Sequence, residues 1–127
     1  MDTMQILSLM EDDFRFDSKL TMDTKESYQT LHQMAVLIIC QHALHHKLKV
    51  KELRTILCDI PQDYYLHEYL IKPYLHLVND IDIIAKKYGA MYLTFLSEKH
   101  QGLENDKYIV DNMFDTCEDV YEAKISD

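Results

Sequence analysis

The sequence predicts a mainly α-helical protein with one two-stranded β-hairpin. The chain contains only two Gly and two Pro residues, which leaves few residues for the tight turns of a barrel or a sandwich. Apolar residues recur at helical spacing along most of the chain, and the period changes only between residues 80 and 96. With 127 residues, the chain is long enough for a single domain with its own hydrophobic core.

The stretch from Thr24 to His46 is predicted to form the central helix. Neither Gly nor Pro interrupts it, and it contains the densest run of apolar residues in the chain. Asp23, with Glu26 three residues later, fits a capping box and places the start of the helix near Thr24. Because the apolar positions cover more than one face, we expect the middle of this helix to be buried on nearly all sides.

A short amphipathic helix is predicted before the central helix, over residues 4–16. It ends around the acidic triplet of residues 11–13, which we interpret as a solvated helix face. Residues 18–23 are mostly polar and are expected to connect this helix to the central one.

Two further short helices are predicted after the central helix. The first, of about eight residues, begins near Val50, where apolar residues again recur at helical spacing. The second has Asp59 as its N-cap and Pro61 in its first turn, where a missing amide proton is tolerated. Pro73 is expected to kink or restart this second helix, because proline removes one backbone hydrogen bond and crowds the preceding turn.

The hairpin is predicted over residues 82–96. β-Branched and aromatic residues lie on both sides of a polar turn that contains Lys86, Lys87 and Gly89, and apolar residues alternate along the second arm.

From residue 103 onward the helical period returns. The C-terminal helix is apolar on one face and acidic on the other, so it needs a partner surface, either its own core or a second subunit. We expect a homodimer in which four residues of this face make the contact, namely Ile109, Met113, Cys117 and Val120.

This order of elements is the winged helix-turn-helix arrangement. In that arrangement the later of two short helices enters a DNA major groove, and the tip of the hairpin contacts the adjacent backbone. The single domain, 1–127, would then consist of an N-terminal helix and connection (1–23), a winged-helix body (24–102) and an acidic C-terminal helix (103–127).

Two segments resemble MarR-type and SarA-type transcription regulators. Residues 49–53, KVKEL, with Leu57 are similar to the opening of the helix-turn-helix in these families, and residues 93–99, LTFLSEK, with Gly102 are similar to the exit from the MarR-type wing. The resemblance covers residues 27–102 and implies a dimeric regulator that binds duplex DNA, with the terminal helices as dimerisation arms.

Three departures from this pattern indicate a weak or degenerate DNA reader. The expected recognition helix has an acid, Asp63, close to its start, and Pro73 interrupts its second half. The predicted wing lacks the acid-arginine tip of MarR-type proteins. The chain has only Arg15 and Arg54, although Arg is the residue best suited to guanine recognition.

If DNA is bound, the expected contacts fall into two groups. Basic side chains would contact the phosphate backbone, and polar or aromatic side chains at the start of the recognition helix would lie nearest the bases. The backbone group is Lys47, Lys49, Lys51, Arg54, Lys86 and Lys87, and the base group is Gln62, Tyr64, Tyr65 and His67.

The charge distribution supports a competing class of function. The net charge is −9, yet residues 27–102 carry seven acids against eight bases, so the acidity lies at the two ends of the chain. An acidic helical module of the inhibitor, immunity or anti-regulator kind would use those ends to bind a basic partner protein. A third hypothesis combines the two, with a former DNA reader whose acidified recognition helix now binds a protein.

Catalytic and metal sites are not predicted. Cys40, His42, His45 and His46 do not share one helix face, and no second Cys/His pair lies at zinc-finger spacing. Cys40 and Cys58 lie among apolar residues, so we expect buried, reduced thiols rather than redox sensors.

No nucleophile motif or phosphate loop is present, and an enzyme or a cofactor is not expected. The sequence shows no signal peptide and no apolar run long enough for a membrane span, which predicts a cytoplasmic protein.

Overall fold

The structure is a computed structural model that describes residues 1–23 and 27–114. Four long elements are α1 (Thr3–Asp23), α2 (Tyr28–His45), α3 (Val50–Cys58) and α4 (Ile81–His100). Between α3 and α4 the chain forms a π-helical turn, His67–Ile71, that continues into a 3-10 turn, Lys72–Tyr74. Residues 106–114 are helical and are called α5.

The predicted β-hairpin is wrong. Residues 82–96 lie inside the continuous helix α4, and within the described ranges no residue belongs to a strand. The winged helix-turn-helix architecture is therefore wrong as well, because it requires the hairpin. The fold is all-helical over the part of the chain that the structure describes.

Helix α4 forms because its buried residues follow the helical period rather than the strand period. Ile84, Tyr88, Met91 and Phe95 recur every three or four residues and are all buried. The apparent alternation after Gly89 arises because the exposed face of α4 also carries an apolar residue, Leu93. The side chain of Asp80 caps the helix by accepting a hydrogen bond from the Asp82 amide at 3.0 Å.

Gly89 is a packing residue rather than a turn residue. A Cβ atom at this position would lie 3.1 Å from Val50 Cγ1 and 3.3 Å from the Arg54 side chain. Such distances are shorter than ordinary van der Waals contacts, so the missing side chain lets α3 approach α4 closely.

The N-terminal half differs from the sequence prediction mainly in its boundaries. Helix α1 continues to Asp23, well beyond the predicted end near residue 16, and Asp2 and Gln5 form its capping box through two hydrogen bonds of 2.8 Å. Helix α2 begins at Tyr28, and its N-cap is Ser27, not Asp23, because the Ser27 side chain accepts a hydrogen bond from the Thr30 amide. The predicted burial of the middle of α2 is confirmed over residues 35–40, with Leu37 partly exposed.

The predicted start of α3 at Val50 is confirmed. The predicted third helix is not formed as expected. Asp59 is the C-cap of α3 instead of an N-cap, and Pro73 lies in the short 3-10 turn. The helix changes from π to 3-10 geometry just before Pro73, which agrees with the predicted kink or restart at this residue.

Helix α5 packs on the same chain. Ile109 and Met113, the two predicted dimer contacts that the structure describes, are buried in its own core. The Asp106 carboxylate fixes the start of α5 by accepting hydrogen bonds from Lys99 at 2.9 Å and from Gln41 at 3.3 Å. Cys117 and Val120 lie outside the described residues.

Substitution of Gly89 by Leu tests the close contact between α3 and α4. We expect the added side chain to push against Val50 and Arg54 and to lower the free energy of unfolding by about 1 to 3 kcal/mol, as overpacking generally does. Ala90→Leu is the matched control, since Ala90 is the exposed neighbour and should change stability by less than about 0.5 kcal/mol. Chemical denaturation measures both variants, and equal stability of the two would contradict the packing role of Gly89.

Candidate functional site

The ten residues expected to contact DNA do not form one surface. Lys47, Lys49 and Lys51 are exposed at the turn into α3, where Lys47 has a left-handed backbone conformation with φ of 55°. Arg54 lies on α3 and forms an ion pair with Asp82 at 3.3 Å. Its charge is thus partly compensated within the protein.

The two wing lysines lie on helix α4. Lys86 is exposed and forms an ion pair with Asp82 at 3.3 Å. Lys87 is 2% exposed, and its Nζ atom donates a hydrogen bond to the Tyr74 hydroxyl at 2.7 Å. From this buried position Lys87 does not reach a phosphate, so its predicted role as a wing contact is wrong.

The residues of the predicted recognition helix do not present a common face either. Gln62 is exposed, and Tyr64 is partly buried. Tyr65 lies beneath the Arg15 guanidinium, whose carbon atom is 4.5 Å from the ring centre. His67 is buried, and burial is the main cause that lowers its pKa from the ordinary value of 6.5. The helical turns of this segment change type between residues 65 and 74, and residues 66, 67 and 69–71 are buried, so the segment has no continuous exposed face.

An open groove of about 430 Å³ lies between α3 and the start of α4. Cys58 is one of its lining residues and is exposed, so its predicted burial is wrong, whereas Cys40 is buried as predicted. Partial burial and the neighbouring charges of Asp82 and Asp59 raise the pKa of the Cys58 thiol, which makes it a poor nucleophile. Arg54 and Asp82 pair with each other in this groove, so the groove offers no excess charge of one sign.

The histidines at the end of α2 contact one another and α1. His42 Nε2 lies 2.6 Å from the Asp13 carboxylate, and the His42 and His46 rings are stacked 5.8 Å apart. Burial and the nearby imidazoles lower the pKa of His46. Among the described residues no group of three His, Cys, Asp or Glu side chains could hold a metal ion.

Glu11 has a structural role that the sequence did not reveal. The acidic triplet was predicted to be solvated, but Glu11 is 3% exposed. Its carboxylate accepts hydrogen bonds from the amides of Tyr65 at 2.8 Å and Leu66 at 3.1 Å, and it pairs with Arg15 at 2.9 Å. Glu11 therefore caps the start of residues 65–74, which we call the bridge segment.

Three carbonyl groups of the bridge segment accept hydrogen bonds from side chains of other helices. Pro73 has no amide proton to offer the Tyr69 carbonyl four residues earlier, and His32 Nδ1 bonds that carbonyl instead at 2.7 Å. The Leu70 carbonyl accepts from Tyr88 at 2.7 Å, and the Glu68 carbonyl accepts from Tyr28. Since carbonyls only accept, His32 Nδ1 must carry a proton to make this bond.

Polar side chains of α2 and α4 contact one another beside the bridge segment. Lys87 donates to the Tyr74 hydroxyl, which lies 3.5 Å from His32 Nε2, and the Phe114 ring packs edge-on against His32 at 5.4 Å. These contacts join α2, α4 and the bridge segment, so we assign them a role in stability.

The outer face of α1 is the most distinctive exposed surface. Phe16 is 66% exposed and Leu20 is 55% exposed, and Leu9, about two helical turns before Phe16, is exposed as well. At 3.6 residues per turn, Phe16 and Leu20 each lie within about 20° of Leu9 around the helix axis. We call these three residues the outer stripe. The opposite face of α1 is buried, so this helix has two separate apolar faces.

Charged residues flank the outer stripe unequally. Asp13 and Asp17 lie about 40° and 80° to one side of Leu9, whereas Asp12 and Lys19 lie about 60° and 80° to the other. Partial burial and the charge of Asp13 raise the pKa of Asp17. Among the side chains that the structure describes, one flank thus carries two acids that repel each other, and the other flank carries one acid and one base.

Sequence reasoning missed this surface because it ended the first helix near residue 16. The spacing of seven and four residues between Leu9, Phe16 and Leu20 was the available sign of a second apolar face.

Comparisons with known protein families, characterised proteins and solved structures found no match to this chain. The resemblance to MarR-type and SarA-type regulators therefore stays a prediction from two short segments. None of the described helices combines the length and apolar character needed to cross a bilayer.

Replacing Glu11 by Gln tests the cap on the bridge segment. The Glu11 Oε1 atom accepts from Tyr65 and Arg15, and its Oε2 atom accepts from Leu66. Gln keeps only one acceptor oxygen, so its NH₂ group must face at least one of these donors. We expect the free energy of unfolding to fall by about 1 to 3 kcal/mol, the usual cost of an unsatisfied buried polar group. Asp12→Asn, an exposed neighbour, is the control, and an equal effect in both variants would show that Glu11 does not act as a cap.

The pH dependence of stability tests the burial of His67. Its folded-state pKa lies below its unfolded value of 6.5, so the unfolded chain takes up the proton first as the pH falls. The stability associated with neutral His67 is then present above about pH 6.5 and lost below it. We expect His67→Asn to lose less stability than the wild type between about pH 7.5 and pH 5 in denaturant titrations. An unchanged loss would contradict this assignment.

Proposed function

We propose that the protein is an acidic helical protein-binding module that engages a basic surface of a partner through the outer face of α1. The observation that carries the proposal is the exposure of Phe16 and Leu20 beside a row of acids on one helix. Large exposed aromatic and aliphatic residues that share one face are typical of contact sites between proteins.

The outer stripe can supply the apolar centre of such an interface. Covering a large apolar side chain contributes about 1.5 to 3 kcal/mol, so Phe16 and Leu20 together can account for a substantial part of a micromolar affinity. The acids around them would form the polar rim, which governs association rate and choice of partner.

Local charge supports a basic partner. Asp13 and Asp17 are close enough that the charge of Asp13 contributes to the raised pKa of Asp17. A partner Lys or Arg placed between them would relieve this repulsion. The net charge of −9 would add long-range attraction for a basic protein and would oppose approach to nucleic acid.

Duplex DNA remains the alternative ligand to be tested, through the exposed lysines at positions 47, 49 and 51. The other predicted contacts with the DNA backbone do not support it. Lys87 is buried, and both Lys86 and Arg54 pair with Asp82.

The proposal can be tested by calorimetric titration with a synthetic basic peptide in which Leu and Lys residues form an amphipathic pattern. We expect binding that weakens as salt rises and a loss of about tenfold or more in affinity for the Phe16→Ala/Leu20→Ala variant. Leu93→Ala on α4 is the matched control, because Leu93 is also 55% exposed but lies outside the outer stripe. Unchanged affinity of the double variant, or salt-dependent binding to random duplex DNA without peptide binding, would contradict the proposal.

A further inference from the structure

We infer that the element which binds the outer stripe is an amphipathic helix whose cations lie against the Asp13 and Asp17 flank. The inference rests on the proposed function and specifies the secondary structure and the charge pattern of the partner. Three features of α1 lead to it: its satisfied backbone, the straight line of the stripe, and the unequal flanks.

The first feature excludes recognition through the backbone of α1. Helix α1 runs without a break from Thr3 to Asp23, so the amides and carbonyls along its middle are hydrogen-bonded within the helix. A partner strand needs a free sheet edge to pair with, and α1 offers none. Contact must therefore be made by side chains alone.

The second feature is the shape of the surface. Leu9 and Leu20 are eleven residues apart, which corresponds to about 16 Å along a helix with a rise of 1.5 Å per residue. Phe16 lies between them on the same line. A partner helix of three or more turns, packed about 8 to 10 Å away, can place apolar residues along this whole line.

The third feature is the position of the charges. Asp13 has 63% of its side chain exposed, and His42 Nε2 holds its Oδ2 atom at 2.6 Å. This contact restricts the carboxylate without using all of its acceptor positions, so the carboxylate is oriented in advance and can still accept from a cation. Asp17 lies one helical turn further along the same flank. On the other flank, Lys19 lies about 10 Å along the helix axis from Asp12, so a cationic helix packed along this flank would meet a like charge.

Two peptides of identical Leu and Lys composition test the secondary structure of the partner. In one the Leu residues follow the helical period, and in the other they alternate with Lys, a pattern typical of strands. By isothermal titration calorimetry we expect the helical peptide to bind about tenfold more tightly or better, with its affinity dependent on Phe16. Equal binding of the two peptides would overturn the helix inference and leave the proposed function intact, whereas binding of neither would overturn both.

Variants of α1 test the flank. We expect Asp13→Asn/Asp17→Asn to weaken binding of the helical peptide by about tenfold and to reduce its salt dependence. Asp12→Asn, which removes an acid from the opposite flank, should change affinity by less than about twofold. Asp17→Asn alone is a second variant that keeps the Asp13–His42 contact, and it should give an intermediate loss. An equal loss for Asp12→Asn would overturn the assignment of the cationic flank.

Discussion

The bridge segment, residues 65–74, has backbone groups that its own helical turns do not satisfy, and side chains from three other helices bond them. Glu11 of α1 caps its start, Tyr28 and His32 of α2 bond two of its carbonyls, and Tyr88 of α4 bonds a third. Partial burial and the charge of Glu68 raise the pKa of Tyr28 to about 12, above its ordinary value of 10. Leaving these backbone groups unsatisfied would lower the free energy of unfolding by more than the hydrogen bonds themselves add to it. The three helices must therefore keep their positions around this segment.

The orientation of α1 follows from this constraint. Glu11 must face inward to reach Tyr65 and Leu66, and Leu9 lies about 160° away from Glu11 around the same helix. The outer stripe is therefore held toward solvent by the contact on the opposite side of α1. Asp13, between the two faces, connects α1 to His42 of α2. The surface proposed for partner binding is thus supported by the core rather than by a mobile loop.

Local rules predicted the parts of this fold that depend on local interactions. The start of α3, the buried middle of α2 and the break at Pro73 follow from helical spacing and from the chemistry of proline. The prediction of a hairpin was wrong because α4 carries an apolar residue, Leu93, on its exposed face. Together with the buried Met91 and Phe95, Leu93 produces the apolar alternation that is typical of a strand. The roles of Glu11 and His32 were not predictable, because their partners lie 54 and 37 residues away in sequence. The outer stripe could have been recognised from spacing alone had α1 been extended to its observed end.

Amide hydrogen exchange at Tyr65 and Leu66 tests the central claim most directly. If Glu11 accepts both hydrogen bonds in solution, these two amides should be protected to nearly the level of the slowest core amides in α2, since opening them requires separation of α1 from the bridge segment. Exchange at the rate of an unstructured loop would contradict the account. It would mean that the Glu11 carboxylate does not hold the start of the bridge segment in solution.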